Sequence, residues 1–167
     1  INSGECQRTT ISHLKEIGSM SKVQVTFPGI KETYEVAAAT VTTGWKTGQL
    51  FGLDASRKAV FSADYGADKA LCVAIDPSTD LSTPPTGSLI TGLHGSATLY
   101  ITHAVEVAES DSTRVYESDV ESGAVGDLLY ASANLLWTTS STGSAKGSLI
   151  EVPSAANSYR LGIMLRM

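Results

Sequence analysis

Alternation of apolar and polar side chains is the first signal along this chain. Lys22-Val23-Gln24-Val25-Thr26-Phe27 places Val23, Val25 and Phe27 on one face, the period-two pattern of a half-buried strand. Pro28-Gly29 stops it, since proline brings no donor to a ladder and glycine opens a turn. Residues 33–41 resume, residues 71–75 are a short apolar run, and residues 97–107 alternate again with Ala97, Leu99, Ile101 and His103 on one side. Leu89-Ile90 reads as a short strand, 114–120 as a further strand, and 149–152 as one stopped by Pro153. In the closing stretch 159–167, Leu161, Ile163 and Leu165 face inward, and Arg160, Gly162, Met164 and Arg166 face outward. Roughly ten to twelve short strands with no helix-length pattern between them predict an all-β fold, a barrel or sandwich of short antiparallel strands.

A strand–turn–strand phrase is written twice. Gly48-Gln49-Leu50-Phe51-Gly52-Leu53-Asp54-Ala55-Ser56 leads into Arg57-Lys58-Ala59-Val60-Phe61-Ser62, and Gly126-Asp127-Leu128-Leu129-Tyr130-Ala131-Ser132-Ala133-Asn134 leads into Leu135-Leu136-Trp137-Thr138, with Gly48 and Gly126 standing 78 residues apart. Each is followed by a later apolar strand, 70–75 in the first copy and 159–165 in the second. The pattern suggests two related β units, although short apolar phrases also recur by chance in β-rich chains. Asp76 opens a segment to Gly87 that holds three of the five prolines, which no ladder strand tolerates. It serves either as the boundary between halves 22–80 and 88–167 of a β domain, or as an exposed binding loop. Ahead of that domain, residues 1–21 are the least strand-like. Ile11, Leu14 and Ile17 fall three apart, which suits two helical turns ending at Gly18 or an N-terminal arm lying over a neighbouring subunit.

Composition narrows the class. Serine (21), threonine (18), alanine (18) and glycine (15) dominate, and only 17% of the 167 residues are charged, poor material for long amphipathic helices. The net charge of −5 comes with no basic run, so nucleic acid is not an expected partner. No stretch has the eighteen or so apolar residues of a membrane span, so a membrane is not expected either. No signal-peptide pattern opens the chain as given, and since it begins at Ile1 an upstream address stays open. Two cysteines, Cys6 and Cys72, are too few for a disulfide framework. Cys72, inside an apolar run, reads as a buried thiol, with a bridge to Cys6 the less favoured alternative.

Chemistry-bearing patterns are sparse. His13, His94 and His103 form no metal-ligand spacing, and His94 reads as part of a glycine-rich turn. Gly92-Leu93-His94-Gly95-Ser96 departs from the nucleophile elbow, because the serine follows the second glycine and a strand comes next. Thr142-Gly143-Ser144-Ala145-Lys146-Gly147-Ser148 breaks the phosphate-loop order, with its lysine ahead of the glycine. Asp64 with Asp68, and Asp76 with Asp80, do not follow a calcium-loop pattern. Glu106, Glu109, Asp111, Glu117, Asp119 and Glu121 read as a solvated face, or one turned to a basic partner. Trp45 and Tyr65, read as exposed, suit sugar stacking, and aromatics in turns also serve as anchors between subunits. No catalytic, cofactor or metal residue is assigned.

The second phrase carries a resemblance. Gly123-Ala124-Val125-Gly126-Asp127-Leu128-Leu129-Tyr130, a short turn, Leu135-Leu136-Trp137-Thr138-Thr139 and a closing Arg160-Leu161-Gly162-Ile163-Met164-Leu165 resemble the small decoration (cement) proteins of tailed-bacteriophage capsids. In those proteins a G-D-x-[LV]-Y strand, a turn, a threonine-rich strand and a terminal x-x-G-[IV]-[AV] strand recur. The first copy matches more loosely, with Gln49 where the family phrase has Asp, and the turn offers Ala133-Asn134 where glycine is common. The resemblance implies a non-enzymatic all-β virion subunit, often a homotrimer, seated on the outer capsid surface and clamping major capsid subunits, without cofactors. Candidate contacts to capsid or subunit are Ile11, Leu14 and Ile17 of the arm, Trp45, and Leu81, Pro84 and Pro85 of the proline-rich segment. The alternatives are another virion part (tail tube, spike or head-fibre base) and a carbohydrate- or receptor-binding β module.

Overall fold

Eleven strands and two short 3-10 helices make up the regular structure among the residues described by the computed structural model, which are 22–37, 45–61, 69–75, 87–102 and 114–167. They are β1 Lys22–Phe27, β2 Ile30–Glu35, β3 Leu50–Leu53, β4 Ala59–Val60, β5 Ala70–Ala74, β6 Leu89–His94, β7 Ser96–Thr102, β8 Leu128–Ala131, β9 Trp137–Thr138, β10 Gly147–Glu151 and β11 Leu161–Arg166. The fold is all-β, as expected: a five-stranded sheet ordered β2-β6-β5-β3-β4 packs against a six-stranded sheet ordered β1-β7-β11-β10-β8-β9, and every ladder within them is antiparallel. The arm expected over 1–21, residues 62–68 and the proline-rich segment 76–86 lie outside the described residues.

The doubled phrase is doubled in space. Reading β2 to β6 against β7 to β11 gives one strand order twice, and β1 is the strand added at one edge. Gly52 faces Val60 across the first hairpin, and Tyr130 faces Thr138 across the second. In the first turn Asp54 N–H donates to the Lys58 carbonyl (2.9 Å) and Arg57 N–H to the Asp54 carbonyl (2.9 Å). Ser132 N–H to the Leu136 carbonyl (2.8 Å) and Leu135 N–H to the Ser132 carbonyl (2.9 Å) repeat the pattern. Arg57 and Leu135 both stand at φ 60°, and Gly48 and Gly126 at 89° and 101°. Even the single parallel bridges recur, Val36 with Ala59 and Tyr116 with Trp137.

Several expectations need correction. The strand equivalent to β5 is β10, not the chain-closing strand: Gly48 N–H donates to the Ala74 carbonyl and Gly126 N–H to the Leu149 carbonyl, both at 2.7 Å. The closing strand β11 takes the place of β6 instead. The two sheets part at Gly95, between β6 and β7. Because β1 pairs with β7, the halves 22–80 and 88–167 do not correspond to the sheets. Leu89-Ile90 begins a six-residue strand, and His94 ends it. Residues 114–120 hold only the Tyr116 bridge before a 3-10 helix, Ser118–Ser122.

Two apolar clusters follow from the faces. One lies between the sheets, bringing Leu50, Val73 and Leu93 of the first against Leu99, Ile101 and Ile163 of the second. The other covers the far face of the first sheet with Tyr34, Trp45, Phe51, Cys72 and Ile90. Gly92 belongs to this second packing: a Cβ there would come within 2.6 Å of the Phe51 ring. The first sheet is therefore covered on both faces. The second has a buried face and an open one.

Candidate interaction surface

The open face carries an in-register row in which three of the five side chains are apolar. Leu128 of β8 faces Ser148 of β10, Ser148 faces Met164 of β11, Met164 faces Thr98 of β7, and Thr98 faces Phe27 of β1. The row spans five strands of the sheet, all side chains on the solvent side. Phe27 is 59% exposed, Leu128 48% and Met164 40%. Alternation alone turns Met164 outward, as expected. Phe27 was expected inward with Val23 and Val25; a β-bulge between Val25 and Phe27 shifts the register and turns the ring out. That irregularity is invisible in the residue pattern.

Between Phe27 and Met164 lies a groove of about 270 Å³, lined also by Ser96, Thr98 and Arg166. Arg166 shares the outward side of β11 with Met164, and its guanidinium lies 3.7 Å from the Met164 sulfur. At the next row out, Arg160 pairs with Glu151 at 2.9 Å and its guanidinium lies 5.3 Å from the centre of the Tyr100 ring. The carboxylate on that part of the face is thus already engaged.

The other polar groups hold the scaffold. Glu32 accepts from the Tyr34 hydroxyl, lies 3.1 Å from His94 Nε2, and stands 4.0 Å from Arg57. Those hydrogen bonds, Tyr34 first and then His94, hold its carboxyl below the usual carboxylate range. Burial pushes the Tyr34 phenol well above its ordinary value and the Cys72 thiol up to about 11. Both directions oppose nucleophile activation at neutral pH, and the Glu32–His94 contact ties β2 to β6. Cys72 is a free buried thiol, as read; Cys6 lies outside the described residues.

Where it is described, the acidic stretch is partly solvated and partly engaged: Glu121 is exposed and Glu117 half-buried, yet two of its carboxylates bind the scaffold. Glu121 accepts from Arg114 at 2.8 Å and from the Tyr116 hydroxyl at 3.2 Å. Asp119 Oδ2 accepts from Thr138 Oγ1 (2.6 Å), Thr139 N–H and Oγ1 (both 3.0 Å) and Ser140 N–H (2.9 Å). Burial raises the Asp119 carboxyl, but those donors outweigh it and hold it below the ordinary value. These four donors pin the 3-10 helix to the end of β9.

Trp45 is corrected as well: it is 6% exposed and stacks on Phe61 at 6.2 Å, a core residue rather than an open platform for sugar or subunit. Ile11, Leu14, Ile17, Leu81, Pro84, Pro85 and Tyr65 lie outside the described residues, as do His13, His103, Glu106, Glu109 and Asp111. Ser96 begins β7, and residues 142–146 lead into β10 with no helix following. Among the described residues no three His, Cys, Asp or Glu side chains gather as metal ligands, and no helix is long and apolar enough to cross a membrane. No protein-family model and no curated protein matches the chain.

Proposed function

We propose that this protein is a structural, non-enzymatic subunit of a tailed-phage virion that decorates the outer capsid surface and clamps major capsid subunits. One observation carries the reading: the Gly126-Asp127-Leu128-Leu129-Tyr130 phrase, its threonine-bearing partner strand and the closing Arg160–Leu165 stretch resemble those of capsid cement proteins. Two further features support it. The phrase is used twice in one strand order, giving a stiff scaffold, and the open sheet face carries Phe27, Met164 and Leu128.

Interface energetics supply the mechanism. A subunit that binds the expanded shell and not its precursor stabilises the expanded state by its binding free energy at every site. A patch of roughly 300 Å² at about 25 cal/mol per Å² yields about 7 kcal/mol gross. The association cost is of similar size, about 4–15 kcal/mol, so one face alone binds weakly. Linking copies into a trimer makes later contacts intramolecular and raises avidity.

Co-sedimentation with empty expanded phage heads tests the reading. Saturable binding at a fixed number of copies per head is expected. Pelleting no greater than with unexpanded heads, at any concentration, would refute it. Light scattering on the isolated protein checks the expected homotrimer.

A further inference from the structure

We infer that the Phe27–Met164–Arg166 groove receives an apolar side chain flanked by a carboxylate, presented by a segment of another protein. The inference rests on reading this face as a contact surface, but not on the contacted object being a phage shell.

Shape and charge both argue for this occupant. The groove is walled by the Phe27 ring and the Met164 thioether, side chains that adapt to an inserted aliphatic group. Arg166 is the charged side chain at its rim, with no carboxylate of the described residues within ion-pair distance; its side-chain contact is the Met164 sulfur at 3.7 Å. This cation sits on a protein of net charge −5, and the neighbouring Glu151 is held by Arg160. A partner that covered Arg166 without supplying a carboxylate would desolvate an unpaired guanidinium, which opposes binding. One that places a carboxylate there gains a two-pronged, charge-assisted hydrogen bond. The same reasoning disfavours two copies meeting groove to groove, because each brings an Arg166 that has no ion-pair partner among the described residues.

The test follows amide chemical shifts of the full chain during titration with acetyl-Gly-Leu-Glu-Leu-Gly-amide, and with the same peptide carrying Gln for Glu. Shifts clustered at Phe27, Thr98, Met164 and Arg166 are expected, with the Glu peptide binding about threefold tighter, the size of a surface ion pair. Arg166→Gln should abolish that preference while keeping binding. Met164→Asp, at an exposed position whose replacement leaves the core intact, should weaken both peptides. Shifts centred elsewhere, absence of binding, or a Glu preference that survives Arg166→Gln would overturn the inference. So would light scattering that shows self-association lost in Met164→Asp, since a second copy would then be the occupant. Peptide binding without adsorption to phage heads would sink the shell reading alone.

Discussion

Asp119 turns an apparently surface acid into a structural clamp. Four donors from 138–140 converge on its Oδ2 while Oδ1 is buried without a partner. Asp119→Asn would replace an ionised acceptor with a weaker neutral one, and should lower unfolding free energy by about 1–3 kcal/mol, read by urea denaturation. The sign with pH follows from the lowered carboxyl. A depressed folded value contributes stability above the unfolded value near 3.9 and loses it as pH falls through the folded one. The gap between native protein and Asp119→Asn should therefore narrow on acidification from about pH 5 to 2; a constant gap would show that the charge contributes nothing.

Between elements, the matched turns give a contrast within one molecule. Arg57 and Leu135 share φ 60°, a region that costs a non-glycine residue about 1–2 kcal/mol. Arg57 is exposed, and its ion pair with Glu32 is a long 4.0 Å, so Arg57→Gly should relieve strain and raise stability by up to about 1 kcal/mol. Leu135 is buried in the inter-sheet cluster, so Leu135→Gly should lower stability by about 2–4 kcal/mol through the cavity it leaves. Thermal denaturation of the two variants reads the opposite signs. Much of this level was legible in the residues: strict alternation located β1, β7 and β11, and Asp54 to Arg57 announced the first turn. The rest depends on distant partners. Gly92 looked like turn material, yet it lies mid-strand, where the Phe51 ring leaves no room for a side chain. The bulge that exposes Phe27 comes from pairing with β7, and no local pattern encodes it.

For the whole molecule, the repeat was visible as a phrase, but its correct extent was not. Apolar content matched 70–75 to the last strand, whereas hydrogen bonding matches it to β10, because sheet order is set by which edges meet. The two units do not stand apart. Trp137 of the second donates its Nε1–H to the Gly48 carbonyl of the first at 3.0 Å, and Leu50 N–H donates to the Leu135 carbonyl at 3.2 Å. With one core cluster drawn from both sheets, urea unfolding should be a single transition, coincident by tryptophan fluorescence and far-ultraviolet circular dichroism. Two separated transitions would mean that the units fold independently. The candidate contact face was half legible: Met164 and Arg166 were read as outward, while Phe27 and the register that aligns it with Leu128 required the folded sheet.

Scanning calorimetry of empty expanded phage heads, with and without saturating protein, tests the clamping role most directly. Binding to the assembled shell should move its disruption to higher temperature in a concentration-dependent manner, and Met164→Asp should reduce the shift. A shell transition unchanged at saturating protein would contradict the account.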